Sequence, residues 1–290
     1  MGYQEIVAFW KKQDISTASK LSVALNTYSI NFAYHSGKIE NDNVTYYDTY
    51  EIFEKDRVTS YTGDLRTLYE IRNSKDAYNA ILQAFDQRHP MTEEFVKEIQ
   101  KQLTKETYDS ACHQQGERPG EYKHHDYVTG RQEVGASPAD TPAEMSELLN
   151  ELQDVSDQNA LTAAAYFHAK FENIHPFSDG NGRTGRLLMN YFLLLHNHPP
   201  VTIHEEDRKG YYQALEQFDT HLDLNPLKLY LMKQIEKTWQ HTVKRNDRCA
   251  VRQTTLSDFD ILSADTKQQS DIHNAQGAES NSCSFHDHSK

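Results

Sequence analysis

Residues 175–186 read HPFSDGNGRTGR and run straight into the apolar stretch LLMNYFLLL at 187–195. The apolar run predicts a buried helix, so the polar cluster sits at its mouth. Pro176 pushes His175 out of the α region, which ends the preceding helical pattern LTAAAYFHAKFE and leaves His175 on a loop. Gly180 and Gly182 let backbone amides approach a ligand closely, and the helix that follows offers unpaired N–H groups and a positive dipole end. Arg183 and Arg186 fall on the first turn of that helix, where cations oppose the dipole unless an anion compensates them. Asp179 is badly placed as a bare charge beside phosphate, yet well placed as an oxygen ligand of Mg²⁺ bridging phosphates. The letters together predict a polyphosphate site with a histidine beside it.

Competing patterns fit less well. Gly180, Gly182 and Gly185 satisfy G-x-G-x-x-G, but the segment before them reads as helix and no acidic strand end follows, so a dinucleotide fold is not supported. No G-K-[ST] is present, which excludes a Walker loop. A plain structural turn would explain the glycines and leaves His175 and Asp179 unexplained. The histidine-rich HNHPP, HEEDR and HDHSK stretches lack metal-ligand spacing, and His168 reads as a buried packing residue.

Further out, apolar residues recur at helical spacing almost everywhere: Leu21, Leu25, Tyr28, Phe32 and Ile39; Ile81, Leu82 and Phe85; Phe95, Ile99 and Leu103; Met145, Leu148, Leu149 and Leu152. The predicted class is mostly α. The exception is 116–138, rich in Gly and Pro, where Tyr122, Tyr127 and Val128 predict a short hairpin or flap. A final helix is predicted after Asn225-Pro226, and from about Asn246 the composition turns polar and loses periodicity, so 246–290 is expected to be a disordered tail. The chain of 290 residues, 37% apolar, is large enough to bury a good core. Its formal net charge of −13 weighs against general nucleic-acid binding but not against a local anion site. No apolar stretch is long enough for a membrane span, the N-terminus lacks a signal pattern, and three cysteines without a CxxC pair support neither a disulfide framework nor a zinc knuckle. A cytoplasmic protein is expected.

The stretch 175–186 is similar to the Fic family motif H-P-F-x-[DE]-G-N-G-R-x-x-R, matching at His175, Pro176, Phe177, Asp179, Gly180, Asn181, Gly182, Arg183 and Arg186. GDLRTLYEIRN, GERPGEYKHHDYVTG, AAAYFHAKFENIHPF and HPPVTIHEEDRKGYYQAL also resemble stretches of bacterial Fic proteins, over roughly 20–240. The resemblance implies a Fic-type helical bundle with a β-hairpin flap, divided into an N-terminal helical region (1–60), a catalytic core (61–245) and the tail. It implies transfer of AMP from ATP to Ser, Thr or Tyr hydroxyls of proteins, with His175 as base, Asp179 holding Mg²⁺, and Gly180, Asn181, Gly182, Arg183 and Arg186 around the phosphates. Tyr211 and Tyr212 lie where relatives have aromatics near the adenosine. Tyr122, Lys123 and Val128 belong to the implied target-binding flap. Phosphorylating relatives carry lysine at the position of Gly182, so AMP transfer is favoured. SGKIEN at 36–41 resembles the inhibitory pattern [ST]-x-x-x-E-[GN] at Ser36, Glu40 and Asn41, with Glu40 expected to pair with Arg186; AMP removal could also use Glu40. The expected partners are ATP and a protein target, with self-modification, and a homodimer is left open. The alternative is a non-catalytic ATP-sensing module.

Overall fold

The computed structural model describes residues 2–129 and 133–252. The helices in chain order are α1 (Tyr3–Lys11), α2 (Ala18–Leu25), α3 (Tyr28–Glu40), α4 (Tyr46–Lys55), α5 (Leu65–Asp86), α6 (Glu93–Leu103), α7 (Ser110–Gln114), α8 (Thr141–Glu151), α9 (Ala160–Ile174), α10 (Asn181–Leu195), α11 (Arg208–His221) and α12 (Asn225–Arg252). The predicted helical class holds. The apolar stripe from Leu21 to Ile39 is two helices rather than one, because Asn26 leaves helical geometry between them (φ 17°, ψ −105°).

Helix α10 is the centre. Its residues Asn181, Arg183–Leu194 are all buried, the pattern of a helix apolar on every side that must lie inside the protein. It packs against α9, α6, α3 and α5. Phe167, Phe171, Ile174 and Phe177 meet it with Leu188, Met189, Tyr191 and Leu193, each at or near zero exposure. Each such side chain contributes roughly 1.5–3 kcal/mol relative to remaining in water. Local signals set the surrounding helices: Thr92 accepts from the Phe95 amide at the start of α6, and Asp64 accepts from the Thr67 amide at 2.8 Å to start α5.

A second anchor lies at the start of α3. Tyr28 stacks on Trp239 of α12 (5.6 Å between ring centres, 10° between planes) and donates its hydroxyl to the Val201 carbonyl at 2.9 Å. Trp10 of α1 meets the same Trp239 edge-on at 5.0 Å.

In the 116–138 segment the ladder is minimal. Strand β1 (Val128–Thr129) pairs antiparallel with β2 (Glu133–Val134), Val128 opposite Val134; the rest of the described segment is turn and coil. The described residues up to Gln240 form one compact unit. Helix α12 runs on to Arg252. The polar composition from Asn246 therefore does not end the helix where expected, because Lys, Arg and Ala sustain helical propensity without an apolar stripe. The rest of the expected tail, 253–290, lies outside the described residues. Among the described residues no helix is long and apolar enough to cross a membrane.

Candidate active site

The loop between α9 and α10 is fixed from both sides. The His175 amide donates to the Phe171 carbonyl at 3.0 Å while its backbone takes the left-handed conformation (φ 51°, ψ 63°), closing α9. The Lys123 amide donates to the Pro176 carbonyl at 2.9 Å and the Ala136 amide to the Ile174 carbonyl at 3.0 Å. A Cβ at Gly135 would collide with the Ile174 carbonyl oxygen, so only glycine permits this approach. Inside the loop, Asn181 Oδ1 accepts from the Phe177 amide at 2.9 Å and its Nδ2 donates to the Phe177 carbonyl at 2.7 Å. Gly180 follows at φ +82°, and a Cβ there would meet Thr104 Cγ2 at 2.6 Å. The turn that aims His175 is thus built by the chain itself.

Burial pushes the His175 imidazole down to about 4, helped by the Lys123 ammonium, against the opposite pull of Glu40, a hydrogen bond to the Glu172 backbone and Asp179. At neutral pH the ring is uncharged, so one of its two nitrogens carries a lone pair able to accept a proton.

Beside it, α10 starts with amides that have no partner within the helix. Arg183, 5% exposed, has its Nε and Nη1 buried without hydrogen-bond partners. Its charge is balanced within a closed ring. Arg183 Nη2 lies 3.2 Å from Asp179 Oδ1, Asp179 Oδ2 lies 2.7 Å from Arg66 Nη2, Arg66 Nε lies 3.1 Å from Glu70 Oε1, and that oxygen lies 3.5 Å from Arg183 Nη1. Glu70 is buried and also accepts from Asn41 Nδ2 at 2.8 Å.

Arg186 turns the other way, toward α3. Its Nε donates to Ser36 Oγ at 3.0 Å, and its Nη2 donates to the Ser36 carbonyl at 2.9 Å and to Glu40 Oε1 at 2.7 Å. It is 1% exposed. The Glu40 carboxylate lies against Gly182, where a Cβ would strike Oε1. Packing would raise the Glu40 carboxyl; the charge and hydrogen bond of Arg186, with Arg183 and His175, outweigh this and hold it below the ordinary range. Behind Arg186, Tyr211 and His168 share a 2.7 Å hydrogen bond, and burial raises the Glu172 carboxyl to about 8 despite the nearby Arg186.

The structure brings His175, Asp179, Gly180, Gly182, Arg183, Arg186, Ser36 and Glu40 together. The other residues singled out in the sequence are placed differently. The Asn181 side chain is bonded at both ends to the Phe177 backbone. Tyr211, 1% exposed, sits beneath Arg186 in the core, whereas Tyr212, 47% exposed, remains accessible. Tyr122 and Lys123, expected in a target-facing flap, are buried: Tyr122 packs on Phe177 at 5.5 Å under Lys97 and donates to Glu93, and Lys123 Nζ caps the Ile174 carbonyl at 3.4 Å. They support the loop. Val128 lies in β1. Asn41, next to Glu40, donates to Thr67 and Glu70. His168 is the fully buried packing residue expected. Sequence reasoning missed Arg66 and Glu70, which stand more than a hundred residues from the motif.

Residues 90–193 match the model of the Fic/DOC family. That stretch resembles a Fic domain. Curated proteins similar to it are named protein adenylyltransferase Fic, from Nematostella vectensis (38% identical over 107 residues, 36% of this chain and 25% of the relative) and from Caenorhabditis elegans, there fic-1 (35% over 112 residues, 36% and 22%). The matched stretches span about a quarter of those relatives' length. A Fic domain containing signaling protein from Bacteroides thetaiotaomicron superposes with a TM-score of 0.70 at 27% identity, over 83% of this chain and 94% of that one. The structure of C. elegans Fic-1, at 21% identity and a TM-score of 0.67 over 85% of this chain and 72% of that one, shares the fold. The likeness to these structures reaches well beyond residues 90–193, so the helices bearing Glu40, Arg66 and Glu70 lie within a shared architecture.

Proposed function

We propose that this Fic domain transfers AMP from ATP to protein hydroxyls and that Glu40 restrains it. The observation that carries the reading is His175: a neutral imidazole, held by a prebuilt loop at the mouth of a cationic helix start. A non-catalytic ATP sensor has no use for such a base. The nitrogen with the lone pair takes the proton of a target Ser, Thr or Tyr hydroxyl as its oxygen bonds to the α-phosphorus; the bond from that phosphorus to the bridging oxygen breaks and pyrophosphate leaves. General base action of this kind contributes about 10²–10⁴-fold. The first-turn amides of α10 and Arg183 stabilise charge developing on the phosphates.

No cluster of three or more His, Cys, Asp or Glu side chains fit for a metal occurs among the described residues. A single carboxylate suits Mg²⁺ carried on phosphates, which typically takes one or two protein carboxylates and completes its shell with phosphate and water oxygens. Asp179 would hold such an ion, which would supply neutralisation of phosphate charge. Tyr212 is the accessible aromatic for the adenosine, and the open edge of the β1–β2 ladder suits a target segment added as a strand.

Glu40 supports the inhibitory part: bound to Arg186 and lying against Gly182, it keeps that arginine from ATP and places negative charge where the γ-phosphate would turn. The N-terminal helices, with α3 bearing Glu40, then act as the restraint on the catalytic core. Exposure of the Glu40 side chain, 37%, also leaves it able to orient a water for AMP removal.

The test is incubation of the Glu40→Gly protein with labelled ATP and Mg²⁺, followed by mass analysis of the protein itself and of added cell extract. An AMP adduct on a hydroxyl is expected, abolished by His175→Ala while ATP binding persists. Labelling that survives His175→Ala would overturn the assignment of the base.

A further inference from the structure

Two arginines stand at the positive ends of two different helices: Arg183 in the first turn of α10 and Arg66, the second residue of α5. Cations are disfavoured at both places by the helix dipoles. Both guanidinium groups nevertheless converge on one carboxylate, Asp179, at 3.2 and 2.7 Å, and share Glu70 on the other side. The ring is neutral only while Asp179 belongs to it. The Arg66 side chain is 52% exposed and so open to an incoming anion, whereas Arg183 is enclosed.

We propose that Arg66 is a third cation of the nucleotide-phosphate site, held in reserve by Asp179 and released to a β- or γ-phosphate oxygen when Asp179 turns to a phosphate-borne Mg²⁺. The inference rests on the nucleotide reading above and adds a residue outside the Fic motif to it. Once Mg²⁺ takes the Asp179 carboxylate, two guanidinium groups are left on Glu70 alone, and an incoming anion restores the balance. The planar fork of Arg66 suits a phosphate. Its placement makes the site selective for the polyphosphate end of a nucleotide rather than for its base and sugar.

Calorimetry of ATP, ADP and adenosine, with Mg²⁺ and at one ionic strength, tests this in the Glu40→Gly protein and in the same protein with Arg66→Ala or Arg66→Lys. Arg66→Ala should weaken ATP and ADP about tenfold or more and leave adenosine unchanged, and Arg66→Lys should recover part of the loss. Equal ATP affinity with and without Arg66, or an equal loss for adenosine, overturns the role of Arg66 while leaving the nucleotide site intact. Failure of the parent protein to bind ATP at all overturns both readings.

Discussion

Arg183 and Arg186 leave the same turn of α10, three residues apart, and end in opposite circumstances. Arg186 is spoken for, with three hydrogen bonds to α3, one of them to the Glu40 carboxylate at 2.7 Å. Arg183 is enclosed with its Nε and Nη1 unpartnered, its charge met only by the edges of a ring. One arginine is closed by a separate helix, and the other keeps two buried donors without a hydrogen-bond partner. Equal letters in a motif thus carry unequal duties, assigned by what lies outside the motif.

The sharpest way to break this contrast is to mutate each arginine with and without Glu40. Arg183→Ala should lower AMP transfer about 10²-fold in both backgrounds, since a buried charged contact to phosphate is lost either way. Arg186→Ala should matter only where Arg186 is free: Glu40→Gly should raise transfer at least about tenfold, close to 1.4 kcal/mol in the barrier, and Arg186→Ala should cancel that gain. Parallel behaviour of the two arginines in rate assays would end the distinction.

The release of Arg186 should also cost stability. Glu40→Gly leaves a buried guanidinium without its nearest carboxylate, and because Glu40 is partly exposed the loss should be about 1 kcal/mol. A thermal melt should show Tm lower by about 2–4 °C. A Tm unchanged or raised would mean that the pair contributes nothing to docking α3.

The pH profile separates the base from both arginines. The pKa of His175 is lowered from 6.5 to about 4, so the neutral, proton-accepting form persists down to that pH. In Glu40→Gly, kcat/KM for AMP transfer should stay level from pH 7.5 to 5.5 and fall only toward about 4, and lower still because Glu40 is one of the groups that raise the histidine. An acid limb centred near 6.5 would place His175 in a more solvated setting than the loop provides.

Ser36→Ala is the mildest probe. It removes the acceptor of Arg186 Nε but keeps the Ser36 carbonyl and Glu40, so basal transfer should rise only about two- to fivefold, in line with one hydrogen bond of about 0.5–1 kcal/mol.

The loop around His175 was legible because short-range rules govern it, Pro176 ending a helix and glycine permitting the turn, whereas the Glu40–Arg186 pair was legible only through the resemblance of SGKIEN to a known pattern. The surroundings of Asn181 and Tyr211 were not legible, for the opposite reason. Nothing local reveals that one bonds to Phe177 and the other to His168. Tyr122 and Lys123 looked like flap residues by composition, and tertiary packing on the loop buries them. Arg66 and Glu70 escaped notice because their partners are a hundred residues away, and a charged pair four apart on a helix reads as a solvated surface pair. The two-residue ladder β1–β2 is shorter than the Gly- and Pro-rich segment suggests, since Glu117 satisfies the His124 amide, the His125 ring and the Tyr127 hydroxyl in place of a strand partner.

The aromatic anchor at the start of α3 has a quantitative consequence for the proposed restraint. Tyr28, at one end of the helix, is clamped between Trp239 and the Val201 carbonyl, while Glu40, at the other, reaches Arg186. With one end tied down, the carboxylate meets the arginine at an effective concentration set by the geometry of α3 and unaffected by how much protein is present. Dilution therefore cannot relieve it, and neither can a trace of competing anion. Only a ligand abundant or tight enough to compete with a tethered group can, so the threshold nucleotide level for activity is written into the length and anchoring of one helix.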